Sequence, residues 1–243
     1  MNPNIIFQNE DLIVVDKPAG ITVNNSDTTK GQITVQDWIE QELNFKSINS
    51  NSDKESDFYK RAGIVHRLDK ETSGILIIAK NQSSFLDLQM QFKERTVKKV
   101  YLSLAHGKVT PDTGEINVPV GRLPWSRKQF GILPGGRESK TLYKVVNNFL
   151  DKPTKEILSL VELYPMSGRT HQIRVHLKYI GHPVFSDFLY AGRKTARKDR
   201  KRIPRVFLHA YKISFLDPTT KKSIDLESPL PVELKLFIDS LTS

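Results

Sequence analysis

His66-Arg67-Leu68-Asp69-Lys70-Glu71-Thr72-Ser73-Gly74 is the stretch that decides how this chain reads. It lies between two apolar runs, Gly63-Ile64-Val65 before it and Ile75-Leu76-Ile77-Ile78-Ala79 after it. Runs this short and this β-branched are expected to be buried strands. A charged block between two buried strands is awkward for stability, because a desolvated carboxylate needs partners. Loops held by a rigid sheet are where catalytic groups concentrate. Asp69 is therefore the first candidate for chemistry. The residues alone also allow a plain polar loop with Asp69 as a local cap. A protein-kinase reading fails: Leu68 separates the His-Arg pair from Asp69, no Asp-Phe-Gly follows, and no Gly-rich loop precedes.

Working outward, the 243 residues suffice for one large domain or two small ones with a proper core. The apolar and charged fractions, 38% and 26%, are those of a globular chain. With no Cys, disulfides and thiolate metal sites are impossible, which suits a reducing cytoplasm. Met1-Asn2-Pro3-Asn4-Ile5-Ile6-Phe7 is not a signal peptide, and no apolar run approaches a membrane span. Lys and Arg exceed Asp and Glu by 37 to 27, a net charge of +10. That excess favours a polyanionic partner, and nucleic acid fits better than membrane because no basic amphipathic helix is present.

Leu12-Ile13-Val14-Val15 is expected to be a strand, stopped by the turn Asp16-Lys17-Pro18-Ala19-Gly20. Thr34 is placed to cap a helix carrying Val35, Trp38, Ile39 and Leu43. Residues 46–57 are polar and predict a mobile surface loop. A helix is expected from Gln82 to Glu94, burying Phe85, Leu88 and Phe92. Residues 100–105 alternate with period two, so Tyr101 shares its face with Ser103 and Ala105. Small neighbours there leave room for a planar ligand against the ring; a tyrosine packed on a half-exposed sheet is the other reading. Residues 121–141 predict a hairpin or long loop, Glu156 to Leu163 a strand, and 206–216 with 221–227 a hairpin. A helix opened by Pro231 closes the chain. Without a regular βαβ beat, the class is α+β with a mixed sheet.

A second constellation is Ser167-Gly168-Arg169-Thr170-His171-Gln172-Ile173-Arg174-Val175-His176-Leu177. Thr170 is the expected N-cap; Ile173, Leu177 and Ile180 form the apolar stripe, and Gly181 with Pro183 ends the helix. Arg169 falls near the helix N-terminus, a natural place for phosphate. His171 and His176 point about 140° apart on a helix and no H-E-x-x-H exists, which points away from a metal site and toward satisfied surface or core histidines. Neither a nucleophile elbow nor a true phosphate loop is present, since Ser139 stands where the latter needs Gly. Finally, residues 193–205 hold eight basic residues against one acid and predict a loop that is mobile when free; a run this dense reads better as a nucleic-acid contact than as a merely solvated surface.

Taken together, Leu12 to Gly20, His66 to Gly74, Lys99-Val100-Tyr101, Gly168 to Leu177 and Leu208-His209-Ala210 make the chain resemble the RluA family of RNA pseudouridine synthases. The resemblance implies a mixed, mainly antiparallel sheet in two lobes with flanking helices around a central RNA-binding cleft. It implies isomerisation of uridine to pseudouridine in structured RNA, ribosomal or transfer, by a cytoplasmic monomer without cofactor, metal or membrane. Asp69 is then the nucleophile, Tyr101 the ring against the target base and a candidate for the final proton transfer, Arg174 the partner of Asp69, and Arg67 the residue that displaces the base. His66, Lys17, Arg169, His171, Gln172, Ile173 and Leu208 are expected to meet RNA, with Arg197, Lys198, Arg200 and Lys201 of the basic block. Two departures stand out: Ser186 precedes Asp187 where the family often has Gly, and the first strand begins too early for an N-terminal S4 domain, so residues 1–243 are expected to be one catalytic domain.

The chemistry suits these residue types. A carboxylate can act as nucleophile or base near a developing cationic sugar. A neighbouring Arg favours its charged form and holds it in position. Flipping the base costs a few kcal/mol, which an inserted side chain such as Arg67 offsets. Stacking on Tyr101 is worth about 1–3 kcal/mol. Two rivals remain: a non-catalytic RNA-binding protein on the same scaffold, and a glycosylase releasing free uracil.

Overall fold

A computed structural model describes residues 2–26, 29, 31–126 and 128–242. In chain order the elements are β1 (Asn4–Gln8), β2 (Leu12–Lys17), α1 (Val35–Glu42), α2 (Phe45–Ile48), α3 (Asp57–Lys60), β3 (Ser73–Ala79), α4 (Gln82–Glu94), β4 (Lys98–His106) and β5 (Thr113–Asn117). They continue with β6 (Val120–Arg122), β7 (Phe130–Ile132), β8 (Lys140–Asp151), β9 (Glu156–Pro165), α5 (Gln172–Tyr179), α6 (Arg193–Asp199), β10 (Leu208–Leu216), β11 (Ser223–Glu227) and α7 (Val232–Asp239). The class is α+β, with a mixed, mainly antiparallel sheet. The chain divides into two compact units, Met1–Lys98 with Lys212–Ser228, and Lys99–Tyr211 with Pro229–Ser243.

In the first unit β1, β2 and β3 pair antiparallel, with Lys17 opposite Gly74 and Leu12 opposite Ala79. β3 is buried along its whole length, so its apolar run shows no alternation. Thr34 caps α1 as expected, through a reciprocal capping box with Asp37. α4 has the predicted bounds; Asn81 caps it by accepting from Ser84 N. The Gly63-Ile64-Val65 run is buried but is not a strand. Gly63 adopts φ +74, and a Cβ there would lie 2.1 Å from Ala79 O, so the chain turns and Ile64 makes a single bridge to Ile78. The polar segment 46–57 is anchored rather than loose. Phe45 and Phe58 bracket it, with ring centroids 5.1 Å apart, and Phe58 lies edge-on to Phe85 at 5.7 Å.

In the second unit β4, β9, β8 and β5 pair antiparallel in that order, and β6 and β7 form a separate hairpin. From Leu102 onward β4 is buried on both faces. α5 starts one residue later than the Thr170 cap predicts. His171 takes the cap position in the left-handed region (φ 57) without a side-chain bond. Gln172 instead braces the segment leading into the helix: its Oε1 accepts from Arg169 N and from Ser167 Oγ.

His106 ties three elements of this unit together. Its Nδ1 meets Glu156 Oε1 at 2.9 Å and its Nε2 meets Asp199 Oδ2 at 3.0 Å, while the ring stacks on Phe185. With a carboxylate at each nitrogen, both ring nitrogens donate. Burial disfavours the cation, but the two carboxylates outweigh it and raise the pKa to about 9. A folded-state pKa above the unfolded one stabilises fully below about pH 6.5 and is lost as pH rises through about 9. Urea unfolding of the wild type should therefore show stability falling across that window, by about 3 kcal/mol at most. His106→Gln should flatten the slope; an unchanged slope would remove His106 as its source.

Candidate active site

The His66–Gly74 stretch forms a tight loop leading into β3. Leu68 is buried while Arg67 is exposed and Asp69 half-buried, so the apolar side chain anchors the loop and the two charged ones project from it. Asp69 O accepts from Thr72 N, closing a turn. His66 Nε2 accepts from Ile77 N at 3.0 Å, and its ring stacks on Phe92 at 4.7 Å. As the acceptor, Nε2 carries no proton. Lys17 is fully buried, and its ammonium donates to Pro18 O (2.9 Å), Ile21 O (3.0 Å) and Lys70 O (3.3 Å). Gly20 N also donates to Lys70 O. Lys17 thus fastens the Pro18–Ile21 turn to the residue next to Asp69; its side chain faces inward, not toward solvent.

In the second unit Arg174 is 6% exposed, and Asp187 is fully buried. Arg174 Nε donates to Asp187 Oδ2 at 2.6 Å and Nη2 to Oδ1 at 2.9 Å, the bidentate geometry that suits a guanidinium. Asp187 Oδ1 also accepts from Leu189 N and Tyr190 N. The guanidinium lies 5.0 Å over the Tyr190 ring. Tyr190 Oη accepts from Phe130 N and bonds His171 Nδ1. Ser186 sits in the left-handed region at φ 63, the conformation that explains why Gly serves well at this position. Its backbone is pinned: Ser186 Oγ donates to Ile203 O, and Ser186 N to Asp199 Oδ2.

The sequence marks the 186–190 stretch for its Ser186 but gives Asp187 and Tyr190 no role, and it does not single out Phe130; the structure makes Asp187 and Tyr190 the counterion and ring that hold Arg174. Several residues expected to meet RNA have side chains turned inward. Gln172 Nε2 donates to Lys140 O and Thr141 Oγ1, so its amide is fully used; Ile173 and Leu208 are buried in the apolar core. Arg169 is half-exposed, its Nε donating to Glu138 O. Tyr101, half-buried on β4, packs against that same core opposite Leu163. His176 is buried between Thr141 Oγ1 and Val118 O, and burial lowers its pKa to about 4, so it is a neutral core residue.

Residues 11–179 match the family described as RNA pseudouridylate synthase. The chain belongs to this family. It is 34% identical to the "Uncharacterized RNA pseudouridine synthase" of Mycoplasma genitalium over 98% of its own length and 70% of that protein. It is 35% identical to the Nitrosomonas europaea "Ribosomal large subunit pseudouridine synthase D", over 98% of this chain but 64% of that one. Among solved structures it is similar to human RNA Pseudouridylate Synthase Domain Containing 1, with a TM-score of 0.71 at 27% identity, covering 95% of this chain and 84% of that one. The chain is an isomerase whose substrate is RNA. Among the described residues no group of His, Asp and Glu is arranged to hold a metal ion, and no helix is long and apolar enough to cross a membrane.

The basic block differs from the mobile loop its composition predicts. Residues 193–199 form α6, and Asp199, its lone acid, is buried against His106 and Ser186. Arg200 Nε donates to Ser186 O and its Nη1 to Pro204 O; Arg202 makes a bidentate pair with Asp151; Arg205 pairs with Glu233. These three cations hold the segment down. Arg193, Lys194, Arg197, Lys198 and Lys201 are the exposed ones without that duty. Neutralising Arg193, Arg197, Lys198 and Lys201 together should leave the melting temperature unchanged and make the salt dependence of RNA binding shallower by up to about three units in log K against log salt. Arg200→Gln should instead lower the melting temperature. An unchanged salt slope in the fourfold variant would show α6 to be a solvated face.

Proposed function

We propose that this enzyme converts uridine to pseudouridine in large-subunit ribosomal RNA, with Asp69 as the nucleophile and the target base flipped out of its stack. The observation that carries the reading is a half-exposed carboxylate on a turn fixed from three sides, by buried Leu68, by the Lys17 ammonium on Lys70 O, and by His66 between Ile77 N and Phe92. Such fixing lowers the entropic cost of meeting a reacting atom. The choice of RNA is supported by the printed names of two relatives, "Ribosomal large subunit pseudouridine synthase" D of Nitrosomonas europaea and C of Vibrio vulnificus, the second 33% identical over 98% of this chain.

In this reading the N-glycosidic bond breaks, the uracil turns, and the base rejoins the sugar through C5, whose hydrogen leaves to water. The Asp69 carboxylate attacks the sugar C1′ as the C1′–N1 bond breaks; the ester so formed is displaced when C5 of the turned uracil bonds to C1′, and N1 takes up a proton as C5 gives one up. Arg174 supplies the compensating positive charge, and its Nε–Nη2 edge is already committed to Asp187, so its orientation is set before substrate arrives. Arg67, exposed beside Asp69, fills the space left by the displaced base and offsets the few kcal/mol of unstacking. Tyr101 offers the ring against which the uracil is retained while it turns.

Asp69→Asn keeps the shape of the side chain and the backbone turn to Thr72, but removes the anionic nucleophile. Tritium release from C5-labelled ribosomal RNA should fall below detection while RNA affinity stays near wild type. Turnover within tenfold of wild type, about 1.4 kcal/mol in barrier, would take Asp69 out of that role. Free uracil among the wild-type products would identify a glycosylase instead.

A further inference from the structure

The hairpin of β6 and β7 carries an aromatic ring for which the chemistry above has no use. Trp125 is 75% exposed, whereas Trp38, the chain's other tryptophan, is 8% exposed. We propose that Trp125 is a stacking platform for an unpaired nucleobase of the substrate RNA outside the reacting uridine. The inference rests on RNA being the substrate and is independent of the role given to Asp69.

Three observations converge on it. The first is how the ring is presented. Ser126 N donates to Leu123 O, closing a turn with Pro124 and Trp125 at its centre, and Gln129 N donates to Ser126 O. Pro124 restricts the backbone just before the ring, so little ordering is needed on binding. A bulky ring left in water on a pre-set turn loses burial energy that folding would otherwise gain.

The second is where the hairpin is fastened. Gln129 Nε2 donates to Leu189 O, Phe130 N donates to Tyr190 Oη, and the Phe130 ring meets His171 edge-on at 5.5 Å. Leu189 and Tyr190 are the residues whose amides cap Asp187, the counterion of Arg174. The hairpin is therefore braced on the same segment that orients Arg174, and a base held at Trp125 is held in register with that arginine.

The third is charge. Residues 120–137 contain Arg122, Arg127, Lys128 and Arg137 and no acid. Arg122, Lys128 and Arg137 are exposed, and the Arg122 guanidinium lies 4.9 Å over the Phe130 ring. An aromatic ring among cations suits a single-stranded nucleic acid, whose phosphates meet the cations while a base meets the ring. An apolar peptide or a second copy of this +10 chain would meet the same cations at a cost.

The test is tryptophan emission of the full chain, titrated with a short uridine-rich single-stranded RNA and with an abasic chain of equal length and phosphate count. Trp125→Phe leaves Trp38 as the sole indole and assigns the signal by difference. RNA should quench the Trp125 emission and the abasic chain should not. Trp125→Ala should weaken RNA binding by at least about fivefold without altering the salt slope, and Trp125→Phe should restore most of the affinity. The two variants should melt like wild type, since the ring is exposed. Asp69→Asn should quench like wild type, so failure of the nucleophile assignment leaves this readout intact. Emission unmoved by RNA, equal quenching by the abasic chain, or wild-type affinity in Trp125→Ala would each overturn the proposal.

Discussion

A buried ion pair organises the second unit. Asp187 has no solvent contact, and its carboxylate takes two bonds from Arg174 and two from backbone amides. Removing one partner of such a pair costs about 3–5 kcal/mol, because the other charge is left buried and uncompensated. The bidentate geometry holds the guanidinium in one orientation. Tyr190 under the guanidinium, Ser186 in its left-handed turn, and the β6–β7 hairpin all attach to the residues that hold Asp187. Asp199 extends the network to His106, so α6 and β4 are fastened to the same point.

The first unit reaches the same end by different means. Asp69 is held through its backbone and its neighbours: Lys17 is a buried ammonium satisfied by carbonyl oxygens, and His66 accepts a strand amide. An ammonium has three N–H donors and no acceptor, so backbone carbonyl oxygens are fitting partners for it. The result is a rigid frame around a half-exposed acid in one unit, and a pre-oriented arginine in the other.

Local features of the sequence translated directly. The Gln82–Glu94 helix, the Thr34 capping box and the 206–227 hairpin each depend on residues within one turn of one another, which is what periodicity and capping report. The stretch at 66–74 stands out in the sequence as a candidate because charge between apolar runs is costly, and the structure shows how its turn is held. What escaped depends on distant partners or on one backbone angle. Gly63 opens a run that looks like a strand and turns it at a positive φ, His171 takes the cap position expected of Thr170 through its backbone angle alone, and the cationic block folds because Asp199, Asp151 and Glu233 await it. The Arg174–Asp187 pair spans thirteen residues, through a loop whose path no hydrophobic period describes.

The proposed role of Arg174 requires Asp187 to set its placement for the reaction and not only the stability of its unit. The direct measurement is the single-turnover rate of Asp187→Asn at saturating enzyme, below its melting temperature, on the RNA that the wild type modifies, together with its RNA affinity. Asn keeps the shape and can still accept from the amides of Leu189 and Tyr190, while the charged clamp is lost. With Arg174 in the proposed role, the rate should fall by about a hundredfold or more with affinity within about threefold, because a small misplacement of a group that meets the reacting atoms raises the barrier more than it weakens binding. A folded Asp187→Asn enzyme turning over at close to the wild-type rate would contradict it.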